Sequence, residues 1–259
     1  MRITLMLALL AAFMLSCDDA RQKKTLQSDT ANPSQKTDQD TIVQRPQIYV
    51  QGIDVSHHQS DIQWEALELS DISFVFIKAT GGMDYTDPKF SENWEGAERK
   101  GLLRGAYHFY YAADDPAKQA VFFSETVLPV SDTTTLPPVL DVETHGMNSD
   151  ISAEQYQNDL KEWLTAIEKA FGRKPIIYTS KNFANAYLKN DFFSTYPLWL
   201  AEYEVDEPTL PEAWQKAGWT FWQQSYTDTI PGIKGTVDHN IFAGSIKELQ
   251  DLGYETQHE

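Results

Sequence analysis

From residue 48 onward the chain repeats one arrangement, a short β-rich run followed by a stretch of helical periodicity. The runs fall at 48–55, 73–79, 103–109, 138–143, 175–180, 197–203, 219–224 and 235–238. Helical patterns follow the first five, at 62–69, 88–100, 115–127, 152–171 and 181–188. The fourth is the clearest: Ser152 precedes Glu154 in the first turn, Tyr156, Leu160, Trp163, Leu164 and Ile167 share one face, and Gly172 stands where the helix can end. Alternating β and α predicts a mostly parallel sheet, and eight strands predict its closure. After Pro197 only 212–216 looks helical, and Pro231-Gly232 supplies turn chemistry between the last two strands. The fold expected is therefore α/β, an irregular TIM-like (β/α)5(β)3 barrel lacking helices in its last third, over 48–259.

In such barrels reactive groups sit where strands end. Three apolar runs here end in acids: Ile53-Asp54, Leu140-Asp141-Val142-Glu143 and Val237-Asp238. Asp141 and Glu143, two apart on an extended segment, point the same way with Cα atoms about 6.6 Å apart. Two carboxylates on one face raise the pKa of at least one of them. Glycoside hydrolysis needs such an arrangement, with one acid still protonated beside others that are ionised. A single acid at a strand end is ordinary solvation; three strand ends, one of them doubled, point to a site. Aromatic residues gather at the same ends: Tyr107, His108, Tyr178, Trp199, Tyr203 and Trp222, with Gln223 beside them. Aromatic faces stack on sugar rings and amides take their hydroxyls, although large aromatics also fill barrel cores.

Several ordered motifs strengthen this reading. Gly52-Ile53-Asp54-Val55-Ser56-His57-His58-Gln59, Phe76-Ile77-Lys78-Ala79-Thr80, Gly105-Ala106-Tyr107-His108-Phe109, Leu140-Asp141-Val142-Glu143, Ile177-Tyr178-Thr179-Ser180, Trp222-Gln223 and Val237-Asp238-His239-Asn240 follow one another along the chain. The set resembles glycoside hydrolase family 25, the Chalaropsis-type lysozymes, from about Tyr49 to Gly244. The resemblance implies a β-1,4-N-acetylmuramidase acting on peptidoglycan glycan strands, with no cofactor. It also implies that Glu143 is the proton donor, Asp141 its partner carboxylate, and Asp54 and Asp238 the rest of the acidic cluster. Three roles stay open for Asp141: attack on C1, orientation of the substrate's own acetamido group, or activation of water. One position departs from the family, where Gly81 follows Lys78-Ala79-Thr80 in place of the usual Glu. Two rival functions remain, a sugar-binding protein with weak or lost catalysis and a hydrolase of another acetamido glycan such as chitin.

Charge and composition narrow the partners. Lys and Arg number 21 against 38 Asp and Glu, for a net charge of -17. No basic surface is left to displace phosphate counterions, so nucleic acid is not expected as a partner. His57-His58 lacks a spaced third ligand, and no metal site is expected there. A monomer is expected.

The first residues read as an export signal. Arg2 precedes an apolar stretch to Leu15, and the single cysteine, Cys17, follows Leu15-Ser16. The stretch is too short for a transmembrane helix. It resembles a bacterial lipoprotein signal (1–16), which implies diacylation of Cys17 and anchoring to a membrane of the cell envelope. Residues 18–47 hold neither aromatics nor glycines and five charges of each sign, so they read as a tether, and the acidity belongs to the barrel. Replacing the lipid acceptor, Cys17→Ser, is expected to move the protein from the membrane to the soluble fraction on cell fractionation. Unchanged sedimentation with membranes would contradict the acyl anchor.

Overall fold

A computed structural model describes residues 48–128, 134–148 and 150–252, with the backbone alone at 68 and 69. The signal, Cys17 and the tether lie outside the described residues, as does 253–259. Eight strands close a barrel: β1 (Tyr49–Val55), β2 (Ile72–Gly81), β4 (Leu103–Phe109), β5 (Val139–Asp141), β6 (Ile176–Ser180), β7 (Leu198–Ala201), β8 (Phe221–Asp228) and β9 (Val237–Ala243). A two-residue strand, β3 (Tyr85–Thr86), folds back antiparallel on the end of β2. Neighbours from β1 through β2 and β4 to β8 run parallel, and β9 closes the circle antiparallel to both β8 and β1.

The crossovers match the helical periodicities in number. A 3-10 helix (Trp64–Leu69) makes the first, followed by α1 (Phe90–Lys100), α2 (Pro116–Thr126), α3 (Ala153–Phe171) and α4 (Lys181–Tyr187). Between β7 and β8 only a 3-10 turn (Glu212–Trp214) forms, and a short α5 (Ile246–Gln250) follows β9. α3 is built as its sequence dictates. The Ser152 side chain accepts a hydrogen bond from the Gln155 N–H, Gly172 takes the left-handed conformation at the other end, and the five apolar residues of one face are buried.

Period-two alternation sorts the strands into two cores. On β2, Phe74 and Phe76 fill the barrel interior with Val50, Leu103, Val139, Ile176, Trp199, Phe221 and Phe242. Val75 and Ile77 face the helix layer with Leu140, Leu198 and Leu200, against Leu160, Trp163 and Leu164 of α3. The bottom of the barrel is thus plugged by aromatic rings, which leaves only its C-terminal mouth open for chemistry. The rings need space in the opposing strands, and glycine supplies it: a Cβ on Gly52 would come within 2.3 Å of the Phe74 ring. Gly52→Ala should therefore lower stability by about 1–3 kcal/mol, the usual cost of overpacking. In a thermal melt this reads as a fall of about 2–4 °C per kcal/mol; an unchanged melting temperature would show that the plug yields freely.

Two of the strand boundaries that differ from expectation bear on the site. β5 ends at Asp141, so Glu143 lies beyond it as the residue leading into a 3-10 turn, still in extended conformation (φ -150, ψ 175). The segment stays pinned to both neighbours, because the Tyr110 N–H donates to the Asp141 carbonyl and the Val142 N–H to that of Tyr178. The last strand begins at Val237 and runs on to Ala243 instead of ending at Asp238. Since β9 is antiparallel, its first residues, not its last, stand at the mouth. Asp238 reaches the C-terminal mouth by this reversal.

Candidate active site

Asp54, Asp141, Glu143 and Asp238 converge at the mouth in a cleft of about 460 Å³, whose walls include Lys78, Tyr107, Phe109, Tyr178, Trp199 and Gln223. Asp54 and Asp238 are direct cross-strand neighbours on β1 and β9, and a side-chain hydrogen bond links them. The Asp54 Oδ2 accepts from the Gln223 side-chain amide (2.7 Å) and from that of Asn240 (2.8 Å). Each amide is itself oriented. The Gln223 Oε1 accepts from the hydroxyls of Tyr178 (2.8 Å) and Tyr203 (2.5 Å), and the Asn240 Oδ1 accepts from the Trp199 indole N–H (2.8 Å). Two chains of hydrogen bonds, begun on β6 and β7, therefore end on one carboxyl oxygen.

Asp141 is held differently. It is buried, a side-chain hydrogen bond joins it to Glu143, and among the described residues its Oδ1 has no hydrogen-bond partner. The Glu143 side chain remains 37% exposed and stands 3.5 Å from the ring of the exposed His145. Lys78 lies over the Phe109 ring, 4.8 Å from its centroid, and partly offsets the negative charge at Asp141.

Burial and mutual repulsion set the protonation. Asp141 is raised well above the ordinary carboxyl range, first by burial and then by the charge of Glu143. Asp54 is also raised well above it, by burial and by Asp238, against the pull of its two amide donors. Asp238 is raised chiefly by burial. The phenols of Tyr107 and Tyr178 are pushed up mainly by burial and further by the acids, so both stay neutral donors.

Of the other residues expected at the site, Tyr107, Tyr178, Trp199 and Gln223 line the cleft. Tyr203 stands just behind Gln223 and packs edge-on against Tyr226, at 4.9 Å. His108 and Trp222 are corrections. Strand alternation turns His108 away from the mouth into the helix layer, where its ring is stacked 5.5 Å from Trp163. The Nδ1 of His108 accepts from the Thr80 hydroxyl (2.7 Å) and its Nε2 donates to the Gln119 side-chain carbonyl (3.1 Å). Burial depresses its pKa to about 4, and it is a neutral structural histidine. Trp222, between inward Phe221 and Gln223, turns to the outer face, where its indole N–H donates to the Glu202 carbonyl (2.7 Å). Sequence reasoning passed over Lys78, Phe109 and Asn240 as site residues. Lys78 and Phe109 continue the inward alternation of Phe74-Phe76 and Tyr107, a signal that was there to be used. Asn240 had no such signal until the strand direction of β9 was known.

This arrangement matches a known group of proteins. The glycosyl hydrolases family 25 pattern covers residues 53–233. The chain belongs to glycosyl hydrolase family 25. Among its relatives, the uncharacterized protein YegX of Escherichia coli (strain K12) is 39% identical over 207 residues, 78% of this chain and 72% of that one. Lysozyme M1 of Streptomyces globisporus is 36% identical over 214 residues, 80% of this chain and 72% of that one. The crystal structure of the bacterial lysozyme from Streptomyces coelicolor superposes with a TM-score of 0.74 at 35% identity, over 79% of this chain and 97% of that one. Family 25 membership makes the protein a glycosidase, and its irregular barrel is that of the family's solved lysozymes.

A raised carboxyl pKa has a consequence for stability. The folded state keeps the Asp141 proton to a higher pH than the unfolded chain does, so the stability this group contributes is full below the unfolded carboxyl pKa of about 4 and is lost as pH rises through the folded value. Asp141→Asn removes the charge and keeps the shape. It should leave the melting temperature little changed near pH 4 and raise it by about 2–4 °C near pH 8, a gain on the order of 1 kcal/mol. A variant less stable than the parent at pH 8 would show that ionised Asp141 is well accommodated.

Proposed function

We propose that this protein is a β-1,4-N-acetylmuramidase that cleaves peptidoglycan between N-acetylmuramic acid and N-acetylglucosamine. The observation carrying the proposal is the hydrogen-bonded Asp141–Glu143 pair at a mouth lined with aromatic rings. Glu143 is the member open to solvent, so it is the one that can reach a glycosidic oxygen. The proton held between the two carboxyls passes through Glu143 to that oxygen as the bond to C1 breaks, which leaves Asp141 ionised.

Asp141 touches Glu143, so the two carboxyls do not sit on opposite faces of the bond, as a nucleophile and its acid would. This contact, together with the unpartnered buried Oδ1, supports a role in receiving the N–H of the substrate's acetamido group. The acetamido oxygen then attacks C1, and water later opens the resulting ring as Glu143 takes its proton back. Asp54 and Asp238, hydrogen-bonded through one shared proton, together keep a single negative charge beneath the developing positive charge at C1. Lys78, over the Phe109 ring, tempers the repulsion among the acids.

A sugar-binding protein without activity would be expected to carry a damaged cluster, and here the four acids meet in one cleft. The lone Cys17 after Leu15-Ser16 supports a lipid-anchored location in the bacterial cell envelope. Among the described residues no helix is long and apolar enough to cross a membrane.

Digestion of purified peptidoglycan beside chitin, with identification of the new reducing ends, tests the reaction. N-acetylmuramic acid ends from peptidoglycan are expected; N-acetylglucosamine ends, or cleavage of chitin alone, would refute it. Glu143→Gln should lower kcat by about 100-fold or more, the usual weight of general acid catalysis, and should still bind wall fragments. If that variant keeps most of its turnover while Asp141→Asn is inactive, the roles of the pair are reversed.

A further inference from the structure

Gly81 ends β2 at the mouth, and three aromatic side chains meet over it. A Cβ on Gly81 would lie 3.4 Å from the Tyr111 ring, 3.6 Å from the Tyr85 ring and 3.7 Å from the Cβ of Phe109. Phe109 is part of the wall of the acidic cleft, and its ring centroid lies 5.0 Å from that of Tyr111. The surface therefore continues outward from the cleft without a break. Tyr85 and Tyr111 are 39% and 43% exposed, unusually open for large rings side by side.

The far edge of this surface is polar and fixed. His57 meets the Tyr85 ring edge-on at 6.4 Å. Its Nδ1 lies 2.7 Å from the Oδ2 of Asp87, whose side chain is fully buried, and 3.2 Å from the Tyr85 hydroxyl. Asp87 is anchored in turn by the backbone N–H groups of His57 (3.2 Å) and Lys89 (2.9 Å). A carboxylate accepts only, so the His57 Nδ1 carries the proton. Among the described residues, the His57 Nε2 and the Tyr85 hydroxyl hydrogen have no other partner. Exposed ring faces beside positioned polar atoms are what a pyranose takes: its C–H face stacks on a ring, and its hydroxyl and acetamido groups hydrogen-bond along the edge.

We propose that Tyr85, Tyr111 and the Asp87-held His57 form a further sugar subsite, which binds an acetamido sugar of the glycan strand beyond the two rings at the cleaved bond. It rests on the glycan-hydrolase reading of the central cleft. Gly81 gains a positive reason to lack a side chain, because a longer one would fill the notch where the rings meet. The subsite makes strand length a determinant of binding, and it acts on substrate capture without touching the reacting atoms.

The test titrates the full chain carrying Glu143→Gln with N-acetylglucosamine oligomers of two to six sugars by calorimetry, alone and with Tyr111→Ala or Gly81→Gln added. Gly81 does not have a positive φ, so glutamine there demands no strained backbone. Affinity should rise with oligomer length in the Glu143→Gln chain. Each added substitution should weaken the longer oligomers by about 3- to 10-fold, the scale of one aromatic contact, and leave the disaccharide unchanged. With Glu143 intact, both should raise KM for peptidoglycan while kcat stays within about twofold. Binding that ignores length, or that is equal with and without the substitutions, overturns the subsite. Length-dependent binding that the substitutions weaken, together with no release of reducing ends from peptidoglycan by the chain with Glu143 intact, supports the subsite and overturns the muramidase reading instead.

Discussion

Four carboxyl groups crowded into one barrel mouth repel each other, and much of the surrounding structure holds them there. Asp54 bears the most of this. Its Oδ2 collects the amides of Gln223 and Asn240, and those amides are aimed by Tyr178, Tyr203 and Trp199. A buried carboxyl with such donors has one orientation, and the strands that supply them are tied together at the same point. The remaining repulsion is relieved by protons, which burial retains on Asp54 and Asp141. Strain of this kind is the usual companion of a catalytic site, because groups arranged for a reaction are not arranged for stability.

The barrel resolves the crowding by dividing its interior. Below the acids, Phe74, Phe76, Trp199 and Phe221 pack against each other at centroid distances of 4.5–5.7 Å and exclude water. Above them the interior opens into the cleft. Trp199 belongs to both layers, as its ring stacks on Phe76 while its N–H orients Asn240. The apolar plug thereby fixes the geometry of the polar site directly above it. The same division explains the two kinds of aromatic residue at the mouth. Tyr107 and Tyr178 face the acids, whereas His108, next to Tyr107 in sequence, and Trp222, next to Gln223, brace the outside of the barrel.

The asymmetry of the last strands has a functional side. Seven strands deliver their C-terminal ends to the mouth and β9 delivers its N-terminal end. Asp238 can stand beside Asp54 only through this reversal, in an antiparallel pair that continues through Ile53–His239 and Gly52–Asn240. With no helix over β8 and β9, their connection is free to carry the Ile230–Ile233 turn, whose Gly232 carbonyl receives the Gln63 N–H just ahead of the first crossover.

Local sequence determined a good deal of this. The eight strands, the amphipathic face and caps of α3, and the acids at Asp54, Asp141 and Asp238 are legible because each depends on residues within a few positions of one another. Inward or outward facing is equally local: the two-residue period sends Tyr107 and Phe109 to the mouth and His108 to the helix layer. Tertiary structure alone decided the direction of β9, the early end of β5 and the partners of Asp54. Gln223 and Asn240 stand 169 and 186 residues away from it in the chain. No propensity or spacing encodes a hydrogen bond between groups so distant, since closure of the barrel is the event that brings them within reach.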